Sequence, residues 1–135
     1  MPTLADVRDE YEFLDSKDDR YRLLSELGRA LEPMVDELKT DATLVRGCQS
    51  KVWTYPTRNP DKTLHFLADS NSALTKGIIA LILLTVQDRS PEHILAIDIY
   101  GELKPFEVEK HLTSGRTSGL RSMIDKIRET AERYI

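Results

Sequence analysis

The chain has 135 residues, of which 40% are hydrophobic and 31% charged; this fits one globular domain and leaves no room for two ordinary ones. Its 19 basic and 23 acidic side chains give a net charge of −4, a balance that argues against binding a phosphate backbone. The most apolar stretch, residues 78–86, is about half as long as a membrane span and is expected to be a buried helix.

The opening MPTLADVRDEYEFL reads as an amphipathic helix rather than a targeting segment. Thr3 and Asp6 stand at capping-box spacing, and Leu4, Val7, Tyr11 and Leu14 recur behind them at helical period. Ser16 and Asp19 repeat the cap ahead of Tyr21, Leu24, Leu27 and Leu31. Pro33 should stop this second helix near Glu32, because a residue before proline is pushed out of helical geometry. A helical turn is expected over residues 34–38 and an unpatterned loop over 39–47.

Residues 51–55 are rich in strand formers, residues 56–62 are dense in turn formers, and Leu64, Phe66 and Ala68 share one face of a second run. Two strands so closely joined predict an antiparallel hairpin. One of Asp69, Ser70, Asn71 and Ser72 should cap the apolar helix that follows. Gly77 inside that helix costs about 1 kcal/mol relative to alanine, which predicts close backbone packing there. Ser90 before Pro91 is a cap-plus-first-position signal for a short helix over 91–95. Another helix is expected over 103–112. Leu120, Met123, Ile124, Ile127, Ala131 and Tyr134 line one face of a C-terminal helix, with Thr117 or Ser118 as its cap. The order predicts one α+β domain over residues 1–135, a small antiparallel sheet packed by helices.

Cys48 is the only cysteine, so neither an internal disulfide nor a thiolate zinc cluster can form, and a cytosol-like compartment is the default. It lies in Arg46-Gly47-Cys48-Gln49-Ser50-Lys51, where the loop enters the first strand. Gly47 offers a positive-φ position, and the charges of Arg46 and Lys51 favour the thiolate. A lone cysteine also serves as a small buried hydrophobe. If it reacts, its reversible states are a mixed disulfide or a persulfide, and attack on a partner's persulfide moves sulfur by thiol exchange. A hydrolase or transferase acting on a small molecule would instead need an oriented base. His65, His93 and His111 offer one each, and no local motif selects among them.

Gly47-Cys48-Gln49-Ser50-Lys51-Val52-Trp53 resembles the GCQSxVW signature of the SufE family of sulfur acceptors. Residues 68–73 with Lys76-Gly77 resemble its ADSDA…VKG segment, and residues 111–120, HLTSGRTSGL, resemble its HLxPSRSxGL segment. Leu27-Gly28 also fits. The three blocks occur in order over nearly the whole chain. Asn71 departs from the usual second Asp, Ser114-Gly115 from Pro-Ser, and Leu103 from Phe.

The resemblance implies a SufE/NifU-type fold shared with IscU-like scaffolds. It implies that Cys48 takes persulfide sulfur from a SufS-like cysteine desulfurase, stimulates that enzyme, and passes sulfur to a SufBCD-like scaffold for iron–sulfur cluster assembly. A sister, CsdE-like branch serves a second desulfurase. Pyridoxal phosphate would reside in the desulfurase, with no cofactor bound here, and no nucleic acid or membrane partner is implied.

Gln49 and Ser50 would shape the loop or touch the incoming sulfur. Asp69 and Ser70 would line a partner surface or cap the apolar helix, and Lys76 would be solvated or make a partner contact. Arg116 would stabilise a thiolate or persulfide anion if its loop folds over Cys48, or else pair with a carboxylate. His111 reads as structural, and Trp53 as an anchor between hairpin and helices. The Cys48 loop is expected to be mobile, with the thiol partly shielded.

Overall fold

Side-chain caps set most of the helix starts in the computed structural model, which describes residues 2–112 and 114–135, without the side chains of 114–118. Thr3 and Asp6 form a reciprocal capping box at the head of α1 (Leu4–Phe13), with both bonds at 3.1 Å. Ser16 accepts from the Asp19 amide to start α2 (Lys17–Arg29). Ser72, not Asp69 or Ser70, caps α3 (Ala73–Val86), and Ser90 caps α4 (Pro91–Ala96). α2 stops at Arg29, three residues short of the stop expected from Pro33, and a 3-10 turn follows at Asp36–Leu38.

The hairpin pairs β1 (Val52–Arg58) with β2 (Leu64–Ser70), antiparallel, in the register Thr54 opposite Ala68. β1 runs through Pro56, where sequence reading placed the turn. Pro56 faces Phe66, whose amide and carbonyl are bonded on the other side by the Gln87 side chain, at 2.7 and 2.8 Å. The strand pair therefore asks no N–H of the proline, which is where strands tolerate it. On the other edge of β1, the Val45 amide donates to the Val52 carbonyl and the Thr54 amide to Thr43. The expected loop thus ends in a short third run bridged to β1 through Leu44 and Trp53.

The apolar helix α3 is the central element: Leu74, Ile78, Ile79, Leu81, Ile82 and Val86 are all buried in one core with Phe66 and Leu24. Gly77 lets the α2 backbone approach it. A Cβ at 77 would overlap the Leu24 carbonyl, and one at Gly28 would lie 2.7 Å from the Gly77 nitrogen.

The region expected as one helix over 103–112 is divided. It comprises α5 (Ile99–Leu103), a 3-10 turn at Lys104–Phe106, Glu107 in the left-handed region at φ 49°, and α6 (Val108–His111). The last helix, α7 (Ser114–Arg133), begins before Thr117 and Ser118, so neither is its cap. Residues 114–119 look like loop by their Gly, Ser and Thr content, and packing of the following apolar face overrides that preference. Leu120, Met123, Ile124, Ile127 and Ala131 are buried, as their spacing predicts. Among the described residues no helix is long and apolar enough to cross a membrane.

His65 ties the hairpin to the segments that follow α2 and α3: Nε2 is 2.8 Å from Glu32 and Nδ1 2.8 Å from Asp88. Burial lowers its pKa, but the two carboxylates outweigh burial and the net shift is upward. A raised histidine stabilises the fold fully below its unfolded value and loses that contribution as pH rises through the folded value. The stability margin of wild type over His65→Leu should therefore be larger at pH 5.5 than at pH 8.5, by about 0.5 kcal/mol, the scale of partly exposed ion pairs. Urea titrations of both proteins measure this, and a margin that grows with pH contradicts the assignment.

Gly77→Ala offers a test of opposite sign from propensity. Helix propensity alone predicts a gain of about 1 kcal/mol. Overlap with the Leu24 backbone predicts a net loss of about 2 kcal/mol or more. A lowered urea midpoint supports the packing account, and a raised one refutes it.

Candidate functional site

Cys48 sits at the tip of the turn between Val45 and Val52, whose backbone pairing at 2.8 Å closes the stem. Gly47 adopts φ +89°, the left-handed conformation that favours glycine, and a Cβ there would lie 2.6 Å from the Ser122 oxygen. The turn thus lies directly on α7. The Cys48 S–H donates to the Gly119 carbonyl with Sγ at 3.7 Å. Gly119 admits this approach because a Cβ at that position would stand only 3.2 Å from the sulfur.

The thiol is half-buried and borders a cleft of about 30 Å³. A water molecule needs roughly 10–15 Å³ on this measure, so the space suits one or two atoms of that size. It is lined by Val52, Ile78, Ile79, Ile82, Leu120, Met123 and Leu112, together with Gly119, Thr75, Gln49 and Ser50. No histidine or carboxylate lines it among the described residues. Burial pushes the Cys48 thiol pKa up. Arg46 and Lys51 flank Cys48 in sequence but are exposed, so solvent screens their charge. In the resting site burial works against the expected activation and favours the neutral S–H.

The other candidate residues are not all brought to the thiol. Gln49 and Ser50 border the cleft beside Cys48. Asp69, Ser70 and Lys76 belong to a separate cluster at the base of the hairpin. Asp69 lies in β2 and pairs with Lys39 at 2.8 Å and Lys76 at 3.4 Å. Burial would raise Asp69, but the Lys39 hydrogen bond, the Ser70 amide and the Lys76 charge hold it below the usual carboxylate range. Lys39, which sequence reading left in an unpatterned loop, also stands 5.5 Å over the Trp53 ring, so Trp53 anchors the approach loop to the hairpin. Ser70 is buried and accepts from the Ser72 amide at 3.2 Å.

Asn71 fixes the far stem of the Cys48 turn: its Oδ1 accepts from the Lys51 amide at 3.1 Å, and its own amide donates to the Lys51 carbonyl at 3.3 Å. His111 is bonded to Tyr11 rather than directed at Cys48. His93 is exposed and His65 is held by its carboxylates. Arg116 has its side chain outside the described residues, as do Ser114, Thr117 and Ser118. Gly119 is the partner that sequence reading did not assign to the thiol. Its only signal was a glycine directly before the apolar face of the last helix. Among the described residues no group of His, Cys, Asp or Glu is placed to hold a metal ion.

Residues 5–131 match the family model of SufE, described as an Fe-S metabolism associated domain. The chain belongs to the SufE family. An uncharacterised SufE-like protein of Rhizobium etli is 35% identical over 135 residues, covering 98% of this chain and 91% of the relative. Another, from Rhizobium meliloti, is 36% identical over 138 residues, covering 98% and 96%. A hypothetical protein of Thermus thermophilus, solved in solution, superposes with a TM-score of 0.75 over 97% of this chain and 94% of that one. At 16% identity that likeness shows the fold alone. SufE membership supports a sulfur-transfer role and implies a cysteine desulfurase as partner.

A half-buried thiol with its pKa pushed up reacts slowly, since the thiolate is the nucleophile. Iodoacetamide should modify Cys48 at neutral pH at least tenfold more slowly than the cysteine of an unstructured Arg-Gly-Cys-Gln-Ser peptide, taking about 1.4 kcal/mol per tenfold as the scale. Its rate-against-pH midpoint should lie above the peptide's. Equal rates, or a midpoint below the peptide's, contradict the covered, neutral thiol.

Proposed function

We propose that this chain is a sulfur acceptor that carries persulfide sulfur on Cys48 from a SufS-like cysteine desulfurase toward iron–sulfur cluster assembly. The observation that carries the reading is a solitary thiol at a turn tip, resting in an apolar cleft with no acid, base or metal-binding group among the described lining residues. Such a site lacks the oriented base of a cysteine hydrolase. It retains what thiol exchange requires, a sulfur that a small backbone movement uncovers.

The transfer conserves atoms and electrons. The Cys48 thiolate attacks the terminal sulfur of the desulfurase persulfide, forming a new S–S bond while the bond to the desulfurase cysteine breaks. That cysteine leaves as a thiolate and takes up the proton lost by Cys48. No second cysteine exists in the chain to discharge the cargo as a disulfide. The sulfur therefore waits for an external acceptor, such as a SufBCD-like scaffold. Removing sulfur from the desulfurase frees its cysteine for another turnover, so the chain acts as co-substrate and stimulator rather than as an enzyme. Pyridoxal phosphate and the C–S bond cleavage belong to the desulfurase.

Gln49, Ser50 and Gly47 shape the turn in this reading, and Asp69, Lys76 and Lys39 brace the hairpin beneath it. Arg116 retains its proposed role beside the anion. A cytosol-like, reducing compartment fits a carrier whose cargo is held by a single thiol.

Incubation with a cysteine desulfurase and free cysteine, followed by intact-mass analysis, tests the proposal. A gain of one sulfur atom, removed by reductant and absent in Cys48→Ser, is the expected result. No gain on wild type, or an undiminished gain on Cys48→Ser, overturns it.

A further inference from the structure

Tyr11 is a buried residue of α1 with only 2% of its surface exposed. Its ring packs edge-on against Phe106 at 5.4 Å, with the Arg20 guanidinium 4.7 Å from its centre. The Arg20 Nε also donates to the Tyr11 carbonyl at 3.1 Å. The ring is therefore fixed from several sides, and its hydroxyl sits 2.8 Å from Nε2 of His111.

His111 closes α6, a helix of four residues. Isolated helices shorter than about 12–15 residues are marginal, so a single turn takes its position from tertiary contacts. The contacts that tie α6 to the rest of the fold include the buried Val108 side chain and the His111 bond to Tyr11. Nδ1 of His111 is buried with no hydrogen-bond partner among the described residues. The next residue, Leu112, is extended at φ −112° and ψ 144° and is one wall of the Cys48 cleft. The fixed Tyr11 ring and the covered thiol are thus connected through one backbone step.

We propose that Tyr11 and His111 are positioning residues for the sulfur site, their hydrogen bond holding Leu112 against the Cys48 cleft and so setting how readily the thiol is uncovered. The reading of Cys48 as the sulfur carrier gives this device its purpose, but the covering itself is measured without any partner.

The experiment is iodoacetamide labelling of Cys48 in the native full chain, at several urea concentrations below the unfolding transition, alongside global stability. Tyr11→Phe removes only the hydroxyl, and His111→Leu removes the bond from the other side. His111→Gln keeps an amide within reach of the place of Nε2. Ile94→Val, in the core away from the cleft, supplies a comparable stability loss without touching the bond.

Tyr11→Phe and His111→Leu should label about fivefold faster than wild type without urea, as loss of one hydrogen bond of average net strength gives. The added rate should depend on urea much less steeply than global unfolding does. His111→Gln should stay within about twofold of wild type on the same scale, and Ile94→Val should not change the urea-independent rate. Wild-type rates in Tyr11→Phe, or acceleration matched by Ile94→Val, would overturn the proposal. If Tyr11→Phe does not fold, the contrast between His111→Leu and His111→Gln decides it by the same criteria. Failure of sulfur transfer from a desulfurase would leave these labelling rates unaffected, so the two proposals fail separately.

Discussion

The meeting of the Cys48 thiol with the Gly119 carbonyl joins segments 71 positions apart with no side chain between them. Most of the architecture around it is organised to make that approach possible. β1 and the short run at Leu44 close the stem of the turn, and Gly47 supplies the left-handed residue that aims the sulfur at α7. On the other side, α7 is held by the buried face from Leu120 to Ala131. α3, brought close to α2 by Gly77 and Gly28, lines the cleft with Ile78, Ile79 and Ile82.

This arrangement suppresses the reactivity that a sulfur carrier needs to control. Arg46 and Lys51 are exposed, where solvent screens their charge, while the sulfur borders a largely apolar cleft. Burial keeps the proton on, and the neutral S–H finds an acceptor in the Gly119 carbonyl. Under the proposed relay, activation comes from moving the turn off α7 when a desulfurase docks. Such a movement exposes the thiol to water, lowers its pKa and presents it to the donor persulfide in one step.

Much of the scaffold was legible in the sequence, because it follows from local rules. Thr3, Ser16 and Ser90 cap where their spacing says, and the apolar period of residues 120–131 marks a buried face. Gly77 announced close packing. What escaped were features decided by distant partners. Pro56 sits inside β1 because Gln87, far along the chain, takes over the backbone bonds of Phe66. α7 begins at Ser114 although residues 114–119 look like loop. The motif around Cys48 pointed to the family, but not to the cover over the thiol. The pairing of the thiol with Gly119, and of Tyr11 with His111, spans most of the chain and leaves no periodic trace.

The account turns on a thiol that is poor toward small reagents and good toward one protein donor. The most direct test is a competition at neutral pH between this protein and free cysteine at equal concentration, run once with iodoacetamide and once with a persulfidated cysteine desulfurase. The account predicts an inversion: iodoacetamide modifies free cysteine first, whereas the desulfurase delivers its sulfur first to Cys48. Preference for free cysteine with both reagents, or for Cys48 with both, would contradict it.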